Sequence, residues 1–134
     1  MAELNDGGAT ILPTGTGTLT GLEIAQRAWR ITKEIDPSCP RVDDTLMLDY
    51  VNSALAALAA DRPDLLLSTD GSTVSTFIPL TSLGELTQFE TNRKKTLASY
   101  VVYEIYLEDS QDDRNAKMAE MHFRTYEEGV LENV

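Results

Sequence analysis

The spacing of apolar and polar positions divides the chain into four helical stretches, with one β-prone stretch between the second and the third. Ile24, Ala28, Ile31 and Ile35 recur at helical spacing and face a core, whereas Glu23, Gln26, Arg27, Arg30, Lys33 and Glu34 cover the opposite side. Leu22 and Trp29 lie at the rim between the two faces. Thr20 with Glu23 three residues later is a capping box that opens this first helix, and Asp36-Pro37 ends it. Pro37-Ser38-Cys39-Pro40 is a rigid turn, because each proline fixes its own φ and pushes its predecessor toward extended geometry.

A second helix starts at Asp43 or Asp44, either of which can cap it. Leu46, Met47, Tyr50, Val51, Ala54, Leu55 and Leu58 give it the best helical period in the chain, and Arg62-Pro63-Asp64 stops it. Over about 65–80 the residues become β-prone around Asp70-Gly71, which predicts a small β-hairpin. Pro79 and Gly84 mark a loop.

The third helix is predicted over 91–109 and is apolar on nearly every side apart from Glu104 and Glu108. That pattern belongs to a central helix touching several neighbours. The fourth runs from 113 to about 128, with Ala119, Phe123, Tyr126 and Val130 on one face and fraying near Gly129. Residues 1–18, rich in Gly and Thr without an apolar period, read as a flexible arm. The expected fold is therefore mainly α: one helical domain over 19–130 with four helices, an inserted β-hairpin, an N-terminal arm and a short tail at 131–134.

Composition narrows the function. The longest apolar runs fall far short of a membrane span, and the N-terminal stretch does not resemble a secretory signal, which points to synthesis in a cytoplasm. Eleven basic residues against 22 acidic ones give a net charge of −11, a surface that repels phosphate backbones and disfavours sequence-specific nucleic-acid binding. The acidity concentrates in the second and fourth helices, and Arg93-Lys94-Lys95 is the one positive cluster. A basic patch on one copy could meet an acidic helix on another and build a ring.

Candidate chemistry is sparse. The single cysteine, Cys39, permits no internal disulfide and has no adjacent base except Arg41. The single histidine, His122, reads as a packed or surface residue rather than a general base. Asp109, Gln111, Asp113, Asn115 and Glu120 follow the spacing of a calcium loop, yet Arg114 stands where that loop needs Gly. The glycines of the arm lack the Lys of a phosphate loop, and the aspartates between 43 and 70 read as helix caps and a solvated face. These residues indicate no catalytic, cofactor or metal site, and an enzyme would need a convergent pocket of perturbed groups.

Four stretches resemble the head-to-tail adaptor proteins of tailed bacteriophages, the small helical subunits of the neck that dock beneath the portal. They are the acid-capped second helix with Tyr50-Val51-Asn52, the turn Arg62-Pro63-Asp64, the step Phe77-Ile78-Pro79-Leu80, and the closing helices with Tyr103-Glu104-Ile105-Tyr106, Asp109, Asn115, Ala116, Met118-Ala119, His122-Phe123 and Tyr126. The segment between Pro79 and Arg93 is shorter than in that family, and the arm before Thr20 is not part of its pattern. The resemblance implies a non-enzymatic virion structural protein at the head–tail interface, assembled as a ring of about twelve copies. Its partners would be the portal protein, its own copies, tail or nozzle proteins, and genomic DNA passing through an extended channel without sequence-specific binding.

In that setting Asp112, Asp113, Glu120, Glu127 and Glu128 are expected to face the DNA channel. Leu22, Trp29, Arg93, Lys94, Lys95, Val130 and Leu131 are expected at subunit or portal contacts. The rival expectation is an acidic soluble binding module that mimics DNA and blocks a basic protein surface.

Overall fold

The computed structural model describes residues 17–35, 42–66, 76–108 and 113–132. Among these residues four α-helices form: α1 (Gly21–Ile35), α2 (Asp44–Asp61), α3 (Lys94–Leu107) and α4 (Asp113–Val130). Short 3-10 turns at Pro63–Leu66 and Thr91–Arg93 follow α2 and precede α3. The expected extent of the third helix thus divides into a tight turn and the α-helix proper. Position 109 and residues 1–16 lie outside the described residues.

The helix starts follow local chemistry. The backbone N–H of Thr20 donates to Glu23 Oε1 at 2.9 Å, and the N–H of Glu23 donates to Thr20 Oγ1 at 3.2 Å, closing the capping box. Asp43 caps α2 by accepting the Leu46 N–H at 3.0 Å. Arg62 ends it, its own N–H still donating to the Leu58 carbonyl at 2.8 Å.

The α3 helix packs against α1, α2 and α4, as its all-round apolar sequence requires. Leu97, Ala98, Val101 and Val102 are fully enclosed between Ile24 and Ala28 of α1, Val51, Ala54, Leu55 and Leu58 of α2, and Ala119 and Tyr126 of α4. Tyr100, Tyr103, Phe123 and Tyr126 extend this core into an aromatic cluster, with ring centroids 4.9–6.3 Å apart.

The turn of the hairpin expected over about 65–80 lies outside the described residues. At its described ends, Leu65 and Leu66 belong to the 3-10 turn, and 76–80 is extended without a partner strand. Two amide side chains replace a ladder there. Gln88 accepts the Ile78 N–H and donates to the Thr76 carbonyl, both at 2.8 Å. Asn52 accepts the Leu80 N–H at 2.8 Å and donates to the Leu80 carbonyl at 3.0 Å.

The chain just before α1 runs antiparallel to 83–91. Thr18 and Leu19 donate to the Phe89 carbonyl, Thr87 donates to that of Leu19, and an isolated bridge joins Thr20 to Leu86. This pairing buries Phe89, a core residue inside a stretch that sequence spacing marks only as loop.

At the other end, Gly129 does not fray the helix. It is buried in α4, and a Cβ there would lie 2.1 Å from Thr96 Oγ1, so its missing side chain lets α4 approach α3 closely. Among the described residues no helix is long and apolar enough to cross a membrane.

Candidate interaction surfaces

The end of α4 is held by two arginines from distant parts of the chain. Arg62, at the end of α2, donates through Nη1 to the carbonyls of Val130 at 2.6 Å and Glu132 at 3.2 Å. Its Nε and Nη2 meanwhile form a two-pronged pair with Asp64, each contact 2.9 Å. That pairing holds the Asp64 carboxyl below the usual carboxylate range. Arg93 donates to the Glu132 carbonyl at 3.1 Å. Terminal helix carbonyls have no partner within their own helix, so cations placed there satisfy both hydrogen bonding and the helix dipole.

This geometry corrects the reading of the basic triplet. Arg93 is only 6% exposed and faces the interior end of α4, leaving Lys94 half-buried and Lys95 exposed. The expected surface patch of three cations is therefore reduced to the two lysines.

Beside the arginine clamp, an open groove of about 430 Å³ separates α2 from α4, lined by Asp61, Phe123, Tyr126, Glu127, Val130 and Leu131. Tyr126 is buried, and its hydroxyl donates to Asp61 Oδ2 at 2.7 Å, fixing the carboxylate on the rim. Burial and this contact both push the Tyr126 hydroxyl pKa up, so it remains the donor. Leu131 is 79% exposed, and Val130 is half-buried.

A second concave site, of about 200 Å³, lies between α1, the start of α2 and Leu83. Leu22 and Trp29 border it, Leu22 being 44% exposed and Trp29 half-buried. Lys33 Nζ stands 5.5 Å from the Trp29 ring centroid, a cation–π pair on the outer side of α1.

Of the acidic residues expected at a channel, Asp112 lies outside the described residues. Asp113, Glu120, Glu127 and Glu128 are exposed and share the outer face of α4. Arg114, Lys117 and Arg124 interleave with them, and Glu120 pairs with Arg124 at 3.0 Å. Four acids and three bases on one helix make a mixed face rather than a carboxylate wall.

His122 is 8% exposed and stacks on Tyr106 with ring planes 5° apart and centroids 6.3 Å apart. Its Nε2 is buried without a hydrogen-bond partner among the described residues. Burial lowers the His122 pKa, so the neutral ring is favoured. The Tyr50 hydroxyl is pushed up to about 12 by burial and by the carboxylates of Glu108 and Glu104, which keeps it protonated. Glu104 is itself raised by burial, against a hydrogen bond from Ser53.

Cys39 lies outside the described residues, as do positions 109 and 111 of the calcium-like spacing. Among the described residues no group of three or more His, Cys, Asp or Glu side chains could hold a metal ion. What the described side chains offer is surface for packing and charge pairing: an acid-rimmed apolar groove on one side and a basic, aromatic helix stripe on another.

No protein-family model matches this chain, and no match is found among curated proteins or solved structures.

Proposed function

We propose that the chain is a structural subunit of a bacteriophage neck, a head-to-tail adaptor that docks on the portal protein as a ring, extends the DNA channel and offers a platform for tail proteins. The observation that carries this reading is how its four resembling stretches meet. Asn52 of the Tyr50-Val51-Asn52 stretch clasps Leu80 of the Phe77-Ile78-Pro79-Leu80 step through two hydrogen bonds. Arg62 of the Arg62-Pro63-Asp64 turn clamps the end of the closing helix pair. Residues scattered along the sequence thus serve as the joints of one scaffold.

In this reading the segment around Asp70-Gly71 forms the inserted β-hairpin, and the arm that docks on assembly is residues 1–16, since Thr18 of the expected 1–18 arm is already paired with Phe89. The mixed charge of the outer α4 face weakens the rival reading, because each interleaved base cancels part of the negative field that a DNA mimic presents to a basic surface.

Immunogold labelling of purified virions tests the proposal. Label confined to the junction of head and tail supports it, and particles that carry no copy of the chain overturn it.

A further inference from the structure

The two surfaces described above are complementary in chemistry, one acid-rimmed and apolar, the other carrying an aromatic and cations. The groove between α2 and α4 has an apolar floor of Phe123, Tyr126 and Val130 and a rim of Leu131, Asp61 and Glu127, with no base in its lining among the described residues. On α1, Leu22, Gln26, Trp29, Arg30 and Lys33 follow one another at helical spacing along the outer side. That stripe joins two apolar side chains to Arg30 and to Lys33, which lies over the Trp29 ring; of the acids of α1, Glu23 is engaged by the backbone and hydroxyl of Thr20, and Glu34 is exposed at the end of the helix.

We infer that the α1 stripe of one copy lies in the α2/α4 groove of the next, with Trp29 against Phe123 and Leu131 and with Arg30 facing Glu127. The inference rests on the ring in the proposed function and supplies its contact surfaces. A helix presenting apolar anchors to a groove is a recurring recognition mode, and Trp and Arg are the side chains that most often dominate interfaces.

Other cations of the chain fit the groove less well. Arg62 and Arg93 are engaged at the end of α4. Those on α4 are interleaved with acids, and Lys95 stands beside exposed Thr91 and Asn92 rather than an apolar anchor. Because stripe and groove are different surfaces, the contact is head-to-tail. Such contacts repeat from copy to copy and close into a ring when the rotation permits. Glu127 is thereby assigned to a subunit contact rather than to a channel wall.

A charge-swap series tests the pairing in the full-length chain. Arg30→Glu, Glu127→Lys, the double variant and Leu131→Ser would be compared by sedimentation velocity, alone and mixed with a phage portal protein from the same source. Each single reversal turns an attraction into a repulsion and is expected to weaken assembly about tenfold, while the double variant recovers most of that loss. Leu131→Ser is expected to weaken assembly to a similar degree without lowering the melting temperature, since the side chain is largely exposed.

Single reversals that assemble like the parent, or a double variant no better than the singles, would overturn the pairing. If those variants still form the ring on the portal, the adaptor reading stands and only this contact falls. A parent chain that stays monomeric both alone and with the portal overturns the two together.

Discussion

Replacing Asn52 with Ala removes both hydrogen bonds that fix Leu80, the one accepted from its N–H at 2.8 Å and the one donated to its carbonyl at 3.0 Å. Leu80 is 7% exposed, so water cannot freely take over either group. A net contribution of about 1 kcal/mol per bond, plus part of the penalty for two poorly satisfied backbone groups, gives a loss of about 2–3 kcal/mol. For a domain of this size that corresponds to a fall in Tm of about 6–12 °C. Urea denaturation should show a lower midpoint with an unchanged slope, because the exposed area on unfolding is the same. Hydrogen exchange should show the Leu80 amide losing protection. A loss below about 0.5 kcal/mol, with Leu80 still protected, would refute the assignment of Asn52 as the clasp of the extended segment.

Gly129→Ala sets helix propensity against packing: Ala would gain up to about 1 kcal/mol in an open helix, but the clash with Thr96 is expected to reverse the sign and cost about 1–3 kcal/mol. Rescue by Thr96→Ala, read from denaturation midpoints, identifies the clash as the cause. Arg62→Ala should release the carbonyls of Val130 and Glu132, so that exchange accelerates in the last turn of α4 while the centre of α3 stays protected; uniform exchange across α4 would contradict the clamp. His122 has its folded-state pKa lowered by burial, so the unfolded chain binds the proton more readily. Stability should therefore fall as pH drops through about 6.5 toward the folded value, by at most about 1.4 kcal/mol per pH unit. Glu104, raised by burial, acts in the opposite direction at lower pH. His122→Gln should abolish the slope above the carboxylate range, and an unchanged slope in that variant would rule His122 out as its source.

The helices were legible because their determinants are local. Thr20 with Glu23 and Asp43 with Leu46 are three residues apart, and the buried positions of α2 follow the apolar period with Leu46 alone left at the surface. The centrality of α3 followed from its having no polar face. What escaped was chemistry acting across long separations. Asn52 and Gln88 look like solvated polar residues until the extended segment is laid beside them. Arg93 looks like part of a basic patch until the end of α4 arrives with unpaired carbonyls. Gly129 resembles a helix terminator in any local window, and only the approach of Thr96 shows that it marks a close crossing.

The candidate surfaces were legible only in part. Leu22, Trp29, Val130 and Leu131 stood out as apolar residues at the rims of their helical periods. The groove itself depends on residues from α2 and α4, more than sixty positions apart, as in the Asp61–Tyr126 contact. Charge counted along the sequence also overstated the acidity of α4, because its cations fall on the same face as its carboxylates.

The central claim is most directly tested by mass photometry of the purified chain mixed with a phage portal protein from the same source. The account predicts a discrete complex whose added mass is a whole ring of chains, about twelve copies. A mixture in which the chain and the portal keep their separate masses at every ratio would contradict it.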